Sequence, residues 1–137
     1  MSGRSETTLR VRYAETDQMG VAYHANYLVW CEVGRTDFIR GLGLPYAELE
    51  RRGTFLAVAD ASIRYRAPAR YDDLLRVATR VESAGSRAIT FGYEISRIEP
   101  DPVLLATART TLVSLDGRGG TRKLPPDLLG LFRQGGP

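Results

Sequence analysis

Apolar residues between positions 25 and 40 recur at the spacing of an α-helix. They fall at i, i+3, i+4, i+7 and i+11 and form one stripe, made of Tyr27, Trp30, Cys31, Gly34 and Phe38. The pattern predicts a helix over about 25–40, ended by the glycines and the proline at positions 41–45. Gly34 lowers helix propensity by about 1 kcal/mol relative to alanine, so we expect another backbone to pass close to it.

After this helix, apolar and polar residues alternate with the period of half-buried β-strands. Four such stretches follow it, and a shorter one precedes it, which predicts five strands over 8–13, 56–66, 74–81, 87–98 and 103–115. Apolar residues are expected to form one dry face of each long strand. In the second strand they are Ala57, Ala59, Ala61, Ile63 and Tyr65, and in the last they are Leu104, Ala106, Ala108 and Leu112.

Short turns at 83–86 and 99–102 require the strands that they join to be antiparallel neighbours. A sheet with one dry face needs a cover, and the long apolar helix is the element that can supply it. We therefore predict an α+β fold in which a five-stranded antiparallel sheet wraps one long central helix. The 137 residues are expected to form a single domain with an ordered core over about 8–132.

Composition points to a cytoplasmic protein. Positions 1–12 carry three arginines and no apolar run, so we expect neither a signal peptide nor insertion in a membrane. A single cysteine, Cys31, fits a reducing compartment. The net charge is +3 and all but one of the 19 basic residues are arginine, but these are scattered without interleaved aromatic residues. This distribution disfavours a nucleic-acid partner.

The loop between the first strand and the helix carries the candidate chemistry. Asp17 lies in it, pinned by Gly20 and followed by apolar residues, so its carboxylate could act as a general base or as a nucleophile. A purely structural role is the alternative, because a short polar side chain in a loop commonly makes a turn with its neighbours.

His24 stands where the helix is predicted to begin, and it is the only histidine. One histidine and one cysteine do not make a metal site, so we expect no metal and no cofactor. Free N–H groups at a helix start can instead stabilise an oxyanion. The imidazole has two open roles, in capping or packing and in catalysis. We expect Glu32 and Asp37 to be solvated or ion-paired residues of the helix.

Two motifs resemble the 4-hydroxybenzoyl-CoA thioesterase family. The first is Tyr13-x-x-Thr16-Asp17-x-x-Gly20 followed by Tyr23-His24-x-Asn26-Tyr27-x-x-Trp30-x-Glu32-x-Gly34-Arg35, and the second is Tyr65-Arg66-Ala67-Pro68-Ala69-Arg70-Tyr71-Asp72-Asp73. The likeness is greatest to a branch of bacterial acyl-CoA thioesterases that includes the Tol–Pal-associated members. It implies a hotdog fold, an acyl-CoA substrate, and a homodimer or tetramer whose sheets join edge to edge.

The resemblance also implies roles for individual residues. Asp17 would be the essential carboxylate, and the backbone N–H at His24 would polarise the thioester carbonyl. Substrate would lie against Tyr23, Tyr27 and Glu32. Basic residues would hold the coenzyme A phosphates, with Arg64, Arg66, Arg70 and Arg87 as candidates. His24-Ala25 replaces the proline pattern of the aromatic-acyl members, which favours a short-chain acyl group.

Two other functions compete with a thioesterase. A hotdog dehydratase or hydratase would use His24 and Glu32 as acid and base, but it leaves the Thr16-Asp17 element without a role. A non-catalytic acyl-CoA-binding module would have the same fold, since fold alone does not define function. The intact Asp17 argues for turnover.

Overall fold

The structure, a computed structural model, describes residues 3–135. It contains five strands and three α-helices in the order β1 Arg4–Arg10, α1 Asn26–Gly41, α2 Tyr46–Arg51, β2 Phe55–Tyr65, β3 Leu74–Ala84, β4 Ala88–Arg97, β5 Val103–Leu115 and α3 Pro126–Gly135. A 3-10 turn at Tyr13–Glu15 follows β1. No helix among these residues is long and apolar enough to cross a membrane.

All five strands form one antiparallel sheet in the order β1-β3-β4-β5-β2. Helix α1 packs against this sheet, and its predicted stripe is buried at every position. Phe38 of α1, for example, lies edge-on to Phe91 of β4 with ring centroids 5.9 Å apart. The predicted sheet and central helix are therefore confirmed.

Both shorter helices were missed from the sequence. Helix α2 has six residues, too few for its single buried residue, Leu49, to produce a periodic signal. Helix α3 places Leu128 and Phe132 in the core, where Phe132 meets Phe91 at 6.0 Å between ring centroids.

The first strand begins and ends earlier than predicted. Strand β1 covers Arg4–Arg10 rather than 8–13, and it is held by backbone pairing with β3 from Arg4↔Arg80 to Arg10↔Leu74. Its residues are mostly polar, so hydrophobic alternation does not mark it. Val11 is buried just after the strand ends, whereas Tyr13 is 77% exposed.

The predicted dry face of β2 is wrong for the single chain. Residues from Val58 to Ser62 are all exposed, and Tyr65 is 46% exposed. Strand β2 is an edge of the sheet, and a register shift between Val58 and Asp60 interrupts its alternation. A similar shift between Ile95 and Ser96 opposite β5 leaves Leu104 38% exposed and buries Leu105 instead.

Gly34 marks a close approach, as expected, but the neighbour is formed by side chains rather than backbone. A Cβ atom at position 34 would lie 2.5 Å from Thr79 Oγ1 and 2.8 Å from Val77 Cγ1, both on β3. The Thr79 and Val77 side chains are fully buried. The missing side chain of Gly34 therefore sets how closely α1 approaches the sheet.

Gly34→Ala should lower the free energy of unfolding. Overpacking costs about 1–3 kcal/mol, against a helix-propensity gain of about 1 kcal/mol. The matched control is Gly41→Ala in the same helix, where no atom lies within 4 Å of the added Cβ. Urea unfolding of both variants measures the difference. A Gly34→Ala protein as stable as Gly41→Ala would contradict the close contact between α1 and β3.

Candidate active site

Glu15 is the buried centre of the loop between β1 and α1. The side chain is 6% exposed, and its Oε1 accepts the backbone N–H of Arg12 at 2.8 Å. Its Oε2 accepts Trp30 Nε1 at 3.1 Å and Arg12 Nη2 at 3.3 Å. Because Trp30 belongs to the buried stripe of α1, this carboxylate ties the start of the loop to the central helix.

The backbone carbonyl of Glu15 binds the end of the loop. Glu15 O accepts the N–H of Tyr23 at 2.7 Å and the side-chain Nδ2 of Asn26 at 2.8 Å. Asn26 is the first residue of α1. The loop therefore closes on itself at Glu15, directly beside the helix start.

Asp17 lies in a small hairpin between these two ends. An antiparallel bridge joins Thr16 to Ala22, and the Asp17 N–H donates to Val21 O at 2.9 Å. The half-buried Asp17 carboxylate accepts the Met19 N–H through Oδ1 at 2.8 Å. Gly20 closes the turn with φ +79°, a left-handed conformation that favours glycine. The turn-forming role considered for Asp17 is thus present, and it leaves Oδ2 without a partner among the described residues.

The helix start offers free backbone donors. Among residues 3–135, neither the His24 N–H nor the Ala25 N–H has a hydrogen-bond acceptor, while the Tyr23 N–H is already bound to Glu15. The carbonyl of His24 accepts the Tyr65 hydroxyl at 2.9 Å, which anchors the peptide to the end of β2. The His24 imidazole is exposed, with its ring centroid 4.5 Å from that of Tyr23.

A cavity of about 290 Å³ opens beside this helix start. It is lined by Ala22, His24, Tyr27, Tyr65, Arg66, Ala67 and Pro68. Tyr27 is buried, and its hydroxyl accepts the Ala69 N–H at 3.1 Å. Burial raises the pKa of Tyr27 above its ordinary value, against the opposing effect of that bond. The hydroxyl is therefore protonated at neutral pH and belongs to an apolar wall.

The predicted site residues fall into two groups. His24, Tyr27 and Arg66 meet at this cavity. Tyr23 does not line it, but its ring lies 4.5 Å from the His24 ring at a tilt of 50°. Asp17 lies in the adjoining hairpin but does not line the cavity.

The other predicted residues lie elsewhere in the chain. Glu32 borders a separate 90 Å³ cavity between α1 and α2. Arg64 lines a groove on the charged face of the sheet, where Glu82 pairs with two further arginines. Arg70 is exposed in the segment that follows β2. Arg87 lies in the β3–β4 turn, at the end of the sheet opposite Tyr65.

Sequence reasoning missed two residues that shape this region. Glu15 appeared only as one member of the loop, although its spacing of three from Arg12 is that of a turn-closing pair. Tyr65 appeared as an ordinary alternating strand residue and a motif member. Its bond to the His24 carbonyl joins positions 41 apart, which no local pattern indicates.

Cys31 takes no part in this chemistry. The residue is fully buried, and burial raises the pKa of its thiol to about 12, despite the opposing effect of Arg35. The thiol is therefore protonated at neutral pH and out of reach of substrate.

Comparison with known proteins identifies relatives of this chain in sequence and in structure. Acyl-CoA thioester hydrolase YbgC of Escherichia coli O157:H7 is 31% identical over 127 residues, which are 92% of this chain and 93% of the relative. The crystal structure of DHNA-CoA thioesterase from Staphylococcus aureus has a TM-score of 0.91 and 33% identity, over 96% of this chain and 89% of that one. Hypothetical protein TT1821 from Thermus thermophilus has a TM-score of 0.88 and 38% identity, over 96% of each chain.

The single sheet, its central helix and these neighbours define a hotdog fold, as predicted. Residues 11–132 match the thioesterase-like superfamily, and the chain belongs to that superfamily. Its membership confirms the prediction of a hydrolase. The narrower assignment to the 4-hydroxybenzoyl-CoA thioesterase family and its Tol–Pal-associated branch stays a prediction.

Proposed function

We propose that this protein hydrolyses an acyl-CoA thioester to the free acid and coenzyme A, with Asp17 as the reacting carboxylate. The observation that carries the proposal is the pair of N–H groups at His24 and Ala25, which have no acceptor within residues 3–135, next to the 290 Å³ cavity that His24 lines. Backbone donors at a helix N-terminus stabilise the oxyanion of acyl transfer without a side chain. YbgC, which is named an acyl-CoA thioester hydrolase, supports the substrate class.

The loop geometry supports a role for Asp17 in this chemistry. The Thr16–Ala22 bridge and the bond from the Tyr23 N–H to Glu15 hold the Asp17 hairpin against the helix start. Asp17 Oδ1 is used by the turn, and Oδ2 remains for substrate or water. The carboxylate attacks the thioester carbon to form an anhydride that water then hydrolyses, or it removes a proton from the attacking water. In either route the leaving sulfur departs as coenzyme A.

The cavity walls suggest where the substrate lies. Tyr27 and Tyr65 give an aromatic surface for the acyl end, with Tyr23 next to it against His24. Arg66 offers a positive charge to a phosphate. Glu32 would contact the acyl chain only deeper along α1. Arg64, Arg70 and Arg87 would need the bound nucleotide to extend over the surface or into the partner subunit.

The dehydratase alternative has less support. It requires His24 and Glu32 to act on one substrate, and eight positions along the chain correspond to about 12 Å at the helical rise. They also border different cavities within one chain. A thioesterase that needs no metal or cofactor, acts in the cytoplasm and binds no nucleic acid remains our proposal.

Asp17→Asn should retain the fold and lose at least about a hundredfold in turnover, because the amide is neither a base nor a nucleophile. Thiol release is measured over aliphatic acyl-CoAs of several chain lengths, benzoyl-CoA and phenylacetyl-CoA, with and without EDTA. Asp116→Asn is the matched control, since Asp17 and Asp116 each accept the N–H of the residue two positions on at 2.8 Å. No thiol release from the unsubstituted protein, or loss of its activity with EDTA, would refute the proposal.

His24→Ala should keep measurable turnover, because the backbone N–H survives the substitution and the imidazole is exposed. We expect a loss far smaller than that of Asp17→Asn, with the pH profile of kcat retained. A histidine acting as general base would instead cost about 10²–10⁴ in rate. If His24→Ala is as inactive as Asp17→Asn while circular dichroism shows both folded, the imidazole takes part in the reaction and the backbone assignment is wrong.

The protein should form a homodimer through β2, with each site at the subunit boundary. Strand β2 is an unpaired edge with Val58 51% exposed, and its last residue, Tyr65, lines the cavity. Val58→Lys should weaken the dimer in light scattering and lower turnover. Leu104→Lys on the interior strand β5, where Leu104 is 38% exposed, is the control that should change neither. A monomer with full activity at assay concentration would disprove this interface.

A further inference from the structure

Glu15 is a buried carboxylate that has no role in the proposed reaction. It is a carboxylate with a 6% exposed side chain, and three N–H donors converge on it at 2.8, 3.1 and 3.3 Å. Burying a carboxylate is costly unless it is paired and hydrogen-bonded. The Arg12 side chain is 72% exposed and can move away, whereas Trp30 is 1% exposed and cannot. The Arg12 backbone N–H and the buried indole N–H are therefore the two donors that hold Glu15 in place.

The residue connects the two parts of the proposed site. Its side chain is held by Trp30 of α1, and its carbonyl holds the N–H of Tyr23 and the side chain of Asn26. The residue two positions on is Asp17. A displacement of Glu15 would therefore move the Asp17 hairpin relative to the free N–H groups at His24 and Ala25.

We propose that Glu15 is a positioning residue that sets the distance between the Asp17 carboxylate and the helix-start donors. The role rests on the proposed function. Glu15 does not line the cavity, so it acts through the placement of the loop rather than on substrate. Substrate binding depends on other contacts, because the Tyr27 hydroxyl is held by Ala69 and the Tyr65 hydroxyl by His24 O.

Glu15→Gln tests this role with little change in volume. The amide replaces one acceptor oxygen by an NH₂ group, which then faces an N–H donor. If Trp30 or the Arg12 backbone loses its acceptor, the loop must shift, and a misplacement of about 1 Å can cost about a hundredfold in rate. We therefore expect kcat to fall at least about tenfold while KM stays within about threefold.

The experiment compares kcat and KM of Glu15→Gln with those of the unsubstituted protein, at a temperature where thermal melting shows each protein fully folded. Ile89→Val is the control for lost stability: Ile89 is fully buried near the opposite end of the sheet. It should lower the melting temperature and leave kcat unchanged. A loss that appears in KM alone, or a kcat within threefold of the unsubstituted protein, would overturn the positioning role.

Trp30→Phe provides a second variant that keeps an aromatic ring in the core and removes the indole donor to Glu15, together with part of the indole volume. It should lower kcat several-fold with little change in KM, and it decides the matter if Glu15→Gln does not fold. Full kcat in a folded Trp30→Phe protein would then refute the proposal. The positioning role alone would be rejected if the unsubstituted protein is active, Asp17→Asn is inactive and Glu15→Gln has normal kcat. If no thiol is released even by the unsubstituted protein, the proposed function and the positioning role are both rejected.

Discussion

The burial of one face of α1 against the sheet is the constraint on which the rest of the molecule depends. The side-chain stripe from Tyr27 to Phe38 enters the core, and Gly34 allows the helix to lie directly on Thr79 and Val77. Once this contact is made, the first turn of α1 must emerge at the end of the sheet where β2 ends and β3 begins. The N–H groups of His24 and Ala25, which directly precede that turn and have no acceptor among the described residues, are thereby brought close to the cavity that Tyr65 and Arg66 line.

The loop between β1 and α1 is ordered by the same contact with the core. Trp30 is part of the buried stripe, and its indole N–H donates to the carboxylate of Glu15, which is also buried. A loop of mixed polar and apolar residues thereby gains a rigid attachment to the helix, while its carbonyl at Glu15 accepts donors at the helix start. Packing and hydrogen bonding thus act on one residue pair, Glu15 and Trp30, and such a pair can give a loop the precision that the proposed acyl transfer requires.

One helix does not cover five strands equally, and the proposed assembly follows from that. Strands β3, β4 and β5 carry buried residues along their lengths, while β2 remains an exposed edge with apolar side chains in solvent. Val58 and Tyr65 are the clearest cases. Unpaired edges of this kind are normally protected or paired. Because Tyr65 also lines the cavity, any partner on β2 would lie next to the proposed site.

The sequence by itself determined the central helix, the antiparallel strands and the loop that contains Asp17 and His24, because periodicity and turn residues are local properties of the chain. It placed β1 wrongly, since β1 is held by backbone pairing that leaves no hydrophobic pattern. It predicted a dry face on β2, since alternation does not reveal which strand is an edge. Glu15 and its bond to Trp30 were decided by the tertiary structure alone, because residues 15 apart meet only after α1 has packed on the sheet.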